Sequence, residues 1–134
     1  MASSQARPPA SRAVLAAAGI DAALVIVFVV IGRRSHAEGI TIDGVLGTAW
    51  PFLAGLALGW LVARAWRNPR GIVHPGLVVW AVTVVAGLGL RALAGQGVQP
   101  SFAIVTALVL GAFLIGWRAL AVPLARRSRA TRPS

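Results

Sequence analysis

Apolar residues fill this chain in four long blocks separated by short polar interruptions. The blocks run from Ala13 to Gly32, broken only by Asp21; from Val45 to Ala63, with no charge; from Leu77 to Gly95, with Arg91 near the end; and from Phe102 to Trp117, continuing to Pro123. A helix rises about 1.5 Å per residue, so about 20 residues cross the roughly 30 Å hydrocarbon core of a bilayer. None of the blocks repeats polar positions along one helical face, as a surface helix of a water-soluble bundle does. Nor do they alternate over segments of about ten residues, the pattern of a membrane β-barrel. The spacing predicts helices over 13–32, 45–63, 77–95 and 102–122. The fold class that follows is all-α: a polytopic membrane protein with four transmembrane helices in one bundle.

The interruptions are rich in turn formers. Gly39, Gly44, Gly71, Pro75 and Pro100 lie where helices must stop and restart, and a proline fits a first helical turn because that turn needs no backbone donor. Small residues at Ala16–Gly19 suit a signal-peptidase site, but the apolar run continues to Gly32, so the first block reads as an uncleaved anchor. Residues 1–12 and 124–134 are expected as cytoplasmic tails without regular structure.

Composition strengthens this picture. Of 134 residues, 57% are apolar and 12% charged, too few charges to cover a water-facing surface. The chain has thirteen arginines, no lysine and three acids. So basic a chain invites a nucleic-acid reading, but the arginines sit between apolar blocks and no recognition motif accompanies them, so nucleic acid is not an expected partner. The absence of cysteine excludes disulfides and thiolate chemistry.

Charge also suggests an orientation. With four helices, Arg7, Arg12, Arg64, Arg67, Arg70, Arg118, Arg126, Arg127, Arg129 and Arg132 share one side, against Arg33, Arg34 and Arg91 on the other. By the positive-inside rule the termini face the cytoplasm and the chain is a multi-pass protein of the cell membrane. Trp60, Trp66, Trp80 and Trp117 then lie near the inner interface and Trp50 near the outer one, all as interface anchors.

Asp21 lies deep in the first block, where a carboxylate is costly and marks a pairing or functional site. Arg91 is the candidate partner, although counting residues leaves an axial gap of about 9 Å. The competing expectation is that Arg91 snorkels outward and Asp21 bonds Thr83, Thr106 or backbone. On the outer side, "RRSHAEG" concentrates polar groups. Arg33 and Arg34 either cap the first helix or grip an external anion such as a lipid phosphate. Ser35, His36 and Glu38 carry the atoms of a triad but are neighbours in sequence, which rarely produces one. His36 and Glu38 supply two metal ligands where three or four are needed. No catalytic residue, metal or cofactor is therefore assigned, and the chain is not expected to be an enzyme. In the second block, Gly47, Gly55 and Gly59 form a small-residue face for helix packing, within one bundle or at a homo-oligomer seam. Pro51 either kinks that helix or sits in its first turns.

Taken together, "IGRRSHAEG", "GVLGTAWPFLAGLALGW", "GLVVWAVTVVAGLGLRALAGQG" and "SFAIVTALVLGAFLIGWRAL" resemble the small bacterial and archaeal membrane proteins of domain of unknown function family 3054. The resemblance spans about Ile20 to Leu120, with "GRRSH", "GTAWPF" and "GWRAL" its distinctive parts. It implies a four-helix integral membrane protein with no assigned activity. It also directs attention to Asp21, Arg33, Arg34, His36, Glu38, Trp50, Pro51, Arg91 and Trp117 with Arg118. Three functions compete: a non-enzymatic membrane component that binds lipid, anion or a partner protein, which leads; a small proton-coupled transporter using Asp21; and, behind both, a membrane-embedded enzyme using His36 or Glu38 on an external substrate. Bilayer lipid and anionic head groups are the expected partners.

Overall fold

The computed structural model describes residues 9–36 and 38–130, with side chains over 11–36 and 38–123. Four helices run up and down: α1 (Pro9–Ser35), α2 (Ile42–Ala63), α3 (Val78–Leu93) and α4 (Pro100–Ala130). Between α2 and α3 lie a short 3-10 turn, Ala65–Arg67, and a wide turn, Ile72–Leu77, broken at His74 (φ −134°, ψ 118°). No strand occurs among the described residues.

The helices extend beyond the apolar blocks because polar residues make good helix ends. At α2, Thr41 is the N-cap: its Oγ1 accepts from the Gly44 amide at 3.0 Å, and Asp43 sits in the first turn, where a negative charge suits the helix dipole. This first turn precedes Val45 and carries little hydropathy. At α1, Arg33 and Arg34 occupy the last turn, where cations favour the exposed carbonyls. Pro100 opens α4. The far end of α4 corrects an expectation, since residues 124–130 are helical and not irregular. Leu, Ala and Arg are strong helix formers, so the helix propagates past Pro123. Likewise 9–12 belong to α1, while 1–8 and 131–134 lie outside the described residues.

Four spans of 22 to 25 residues are long and apolar enough to cross a membrane. Only 22% to 33% of the most apolar window in each is buried inside the molecule. Side chains such as Leu15, Val27, Leu58, Val85 and Leu108 point outward, and a lipid solvent is what accommodates such a surface. The chain is a multi-pass membrane protein.

The tightest contact is between α2 and α3. A Cβ at Gly55 would lie 2.9 Å from the Thr83 carbonyl oxygen, and one at Gly59 would lie 3.1 Å from that of Val79. These glycines let the two backbones touch, and they do so within one chain. Gly47 does not take part: nothing approaches its Cβ position within 4 Å, and the helix face it occupies is exposed. One turn above Gly55, the Phe52 ring packs on Gly87 and joins Phe28 and Phe102, with ring centroids 5.7 to 6.5 Å apart. Pro51 is buried well inside α2, in mid-helix and not in the first turns.

Candidate functional site: a buried carboxylate and guanidinium

The largest fully buried side chain is Arg118, and it faces Asp21. Both are 0% exposed. Arg118 Nη1 donates to Asp21 Oδ1 at 2.9 Å and Nη2 to Oδ2 at 2.8 Å, a two-pronged pair joining α4 to α1. Two indoles complete the carboxylate shell: Trp117 Nε1 donates to Oδ1 at 2.7 Å and Trp60 Nε1 to Oδ2 at 2.8 Å. Each carboxylate oxygen thus accepts two hydrogen bonds, which fills its lone pairs.

Arg118 uses its remaining reach on backbone. Nη1 also donates to the Leu114 carbonyl one turn back, at 2.8 Å, and Nε donates to the Pro69 carbonyl at 3.0 Å. The second bond ties the α2–α3 connector across this end of the bundle. Gly76 fits there without a side chain, its Cβ position being 3.1 Å from Arg118 Cδ. Ala17, one turn before Asp21, is buried and small, which permits the close approach. The guanidinium carbon lies 4.8 Å from the Trp117 ring centroid, adding a cation–π contact.

Of the alternatives for Asp21, the pair with Arg91 does not form, and Arg118 takes its place. Helix direction explains it, because α4 returns antiparallel and brings Arg118 to the level of Asp21, whereas Arg91 sits near the opposite end. There Arg91 Nε donates to the Gly97 carbonyl at 2.8 Å, Nη1 to Gln96 Oε1 at 3.1 Å and Nη2 to the Gln96 carbonyl at 3.4 Å, with Cζ 4.4 Å over the Phe102 ring. Gln96 Nε2 in turn donates to the Gly47 carbonyl at 3.0 Å, tying the α3–α4 turn to α2. Thr83 and Thr106 are buried but do not bond Asp21.

Three tryptophans expected as interface anchors turn inward. Trp60 and Trp117 bond Asp21, and Trp80 donates to the Ala107 carbonyl at 2.9 Å while packing on Gly111. An indole N–H inside a bundle needs an acceptor, and these three find one. Trp50 and Trp66 are each 45% exposed.

The "RRSHAEG" cluster is a clasp. Arg33 Nε donates to the Gly39 carbonyl at 2.8 Å, and Nη1 donates to Glu38 Oε1 at 3.1 Å and Thr48 Oγ1 at 2.9 Å, joining the end of α1 to α2. A Cβ at Gly44 would meet the Arg33 guanidinium carbon at 2.8 Å, so a glycine stands where that side chain crosses. Arg33 is thus engaged inside the molecule, and Arg34 is exposed. No side-chain hydrogen bond joins Ser35, His36 and Glu38 among the described residues, so no triad forms. On the connector, His74 Nε2 bonds the Ala63 carbonyl at 2.9 Å. No group of three metal-ligating side chains occurs among the described residues.

The model of a family described as proteins of unknown function, DUF3054, matches residues 18–121. That interval contains Asp21, Trp60, Trp117 and Arg118, the whole buried cluster. No curated protein and no solved structure matches the chain.

Proposed function

The chain belongs to the DUF3054 family, and we propose that it is a non-enzymatic component of the cell membrane that holds anionic lipid at its arginine-rich end. One observation carries this reading. The sequence has three acids, Asp21, Glu38 and Asp43. Asp21 is consumed by Arg118, Glu38 pairs with Arg33, and Asp43 sits in the first turn of α2 at the far end. Arg12, Arg64, Arg67 and Arg70 are exposed at the end where α1 begins and α4 finishes, and no Asp or Glu side chain remains for them. Their counter-charge comes from outside, and a membrane protein's nearest anions are lipid phosphates, each arginine contributing about 1 kcal/mol near such a surface.

The buried cluster weighs against the transporter reading. A carrier carboxylate must exchange its proton and meet substrate, but Asp21 accepts four hydrogen bonds from three side chains on α2 and α4. Its work is to hold helices together. A cytoplasmic location for the basic end follows from the positive-inside rule. Single cysteines introduced at Ser35 and Ser128 test it, and are expected to label from opposite sides of intact cells.

Native mass spectrometry after gentle detergent extraction tests the function. Anionic glycerophospholipid should remain bound in preference to neutral lipid. A protein that emerges without such preference, from membranes containing both, would end this reading.

A further inference from the structure

The connector after α2 reads "RAWRNPR" from Arg64 to Arg70, and its residues fall into two sets. Ala65 is fully buried, and the Pro69 carbonyl accepts from Arg118 Nε at 3.0 Å; these pin the segment to the bundle. Arg64, Trp66, Arg67 and Arg70 are exposed. Backbone bonds from Arg67 to Arg64 at 3.0 Å, Asn68 to Ala65 at 3.2 Å and Gly71 to Asn68 at 2.9 Å hold the shape turn by turn.

Arg64 adds an independent sign. It caps α2 in the left-handed region (φ 50°, ψ 51°), the position glycine ordinarily takes at a helix end. A long, charged residue kept in such a conformation points to a use beyond the turn itself. The segment lies between the spans Ile42–Ala63 and Ile72–Leu93, so it sits at the membrane surface.

We propose that Arg64–Arg70 is a head-group strap: a rigid segment, held from beneath by Arg118, whose Arg64, Arg67 and Arg70 take the phosphate of an anionic glycerophospholipid while Trp66 rests at the head-group level. Guanidinium forks match phosphate oxygens two at a time, and indoles settle at that depth. The proposal rests on the anionic-lipid reading above and assigns its site. Arg118 is a positioning residue in it, since it shapes the strap through Pro69 and does not itself reach the surface.

The experiment uses the full-length protein in nanodiscs of phosphatidylcholine and phosphatidylglycerol, released into mild detergent and weighed by native mass spectrometry. Wild type should retain phosphatidylglycerol in preference. R64Q/R67Q/R70Q, with helicity checked by circular dichroism, should lose that preference by on the order of a hundredfold, about fivefold per arginine. R126Q/R127Q/R129Q should keep it, and millimolar inorganic phosphate should not displace the lipid. The strap is refuted, with lipid binding intact, if the first variant retains lipid like wild type or if only the second loses it. Displacement by free phosphate refutes it too, making the site a general anion site. If wild type shows no preference, the parent reading falls as well.

Discussion

Each end of the bundle is gathered around an arginine, and the two ends treat it differently. At the end carrying the termini, Arg118 is sealed from solvent and meets a sealed carboxylate. At the other end, the Arg33 side chain is 17% exposed and its partner Glu38 is 53% exposed. Arg33 spends its other donors on Gly39 and Thr48, as Arg91 spends its own on Gln96 and Gly97. Geometry alone would rank these arginines together, since all make short, multiple hydrogen bonds. Burial separates them: an ion pair in low dielectric leaves a bare charge when one member is lost, whereas a half-solvated one is rehydrated.

The largest expected effect follows directly. Arg118→Met or Asp21→Asn, each removing one partner, should cost about 3–5 kcal/mol of stability, read as a lowered thermal or SDS-induced unfolding midpoint in detergent. The double change Asp21→Leu with Arg118→Met should cost less than either single one, because no charge is then stranded. Asp21→Asn and Arg91→Gln, which touch nothing in common, should add to within about 0.5 kcal/mol. Strong coupling between those two would overturn the pairing described here.

Next in size is the α2–α3 seam. Gly55→Leu drives a side chain into the Thr83 carbonyl and should cost about 1–3 kcal/mol, whereas Gly47→Leu, on the open stretch of the same helix, should stay within about 0.5 kcal/mol. Equal losses at the two positions would mean that Gly47 too is covered, by a second copy or another partner. Smaller again is Trp60→Phe, which removes one of four donors to Asp21 and leaves a smaller aromatic ring in its place. Hydrogen bonds between membrane helices average about 0.6 kcal/mol and reach about 1.7, so the same unfolding assay should show a loss in that range.

The spans were legible because hydropathy and length are summed over about 20 residues, and no single position decides them. Helix ends were less so: the Thr41 cap, the Asp43 turn and the polar end of α4 carry little hydropathy. The site was half legible. Asp21 stood out as a charge inside an apolar block, but its partner could not be found by the same rule. Arg118 follows Trp117 at the edge of the last block and reads as a boundary charge; only the "GWRAL" resemblance marked it. Its inward turn depends on helix rotation, which a nearly uniform apolar sequence does not encode. The same ambiguity hid Trp60 and Trp117, whose indoles suit an interface or a buried acceptor equally well. Gly55 and Gly59 could be told from Gly47 only once α3 lay against them.

The smallest effect is also the sharpest probe of the comparison between the two ends. Arg33→Gln breaks the contact with Glu38 and disturbs those with Thr48 and Gly39, while water and the remaining loop bonds can serve the groups left behind. The loss should be no more than about 1 kcal/mol in the unfolding assay, and should shrink further in high salt because the pair is partly exposed. Arg34→Gln, on a side chain that already faces outward, should change nothing measurable. If Arg33→Gln instead destabilised the protein as much as Arg118→Met, burial would not be what ranks its arginines, and the clasp at the α1–α2 turn would have to count as a second structural centre.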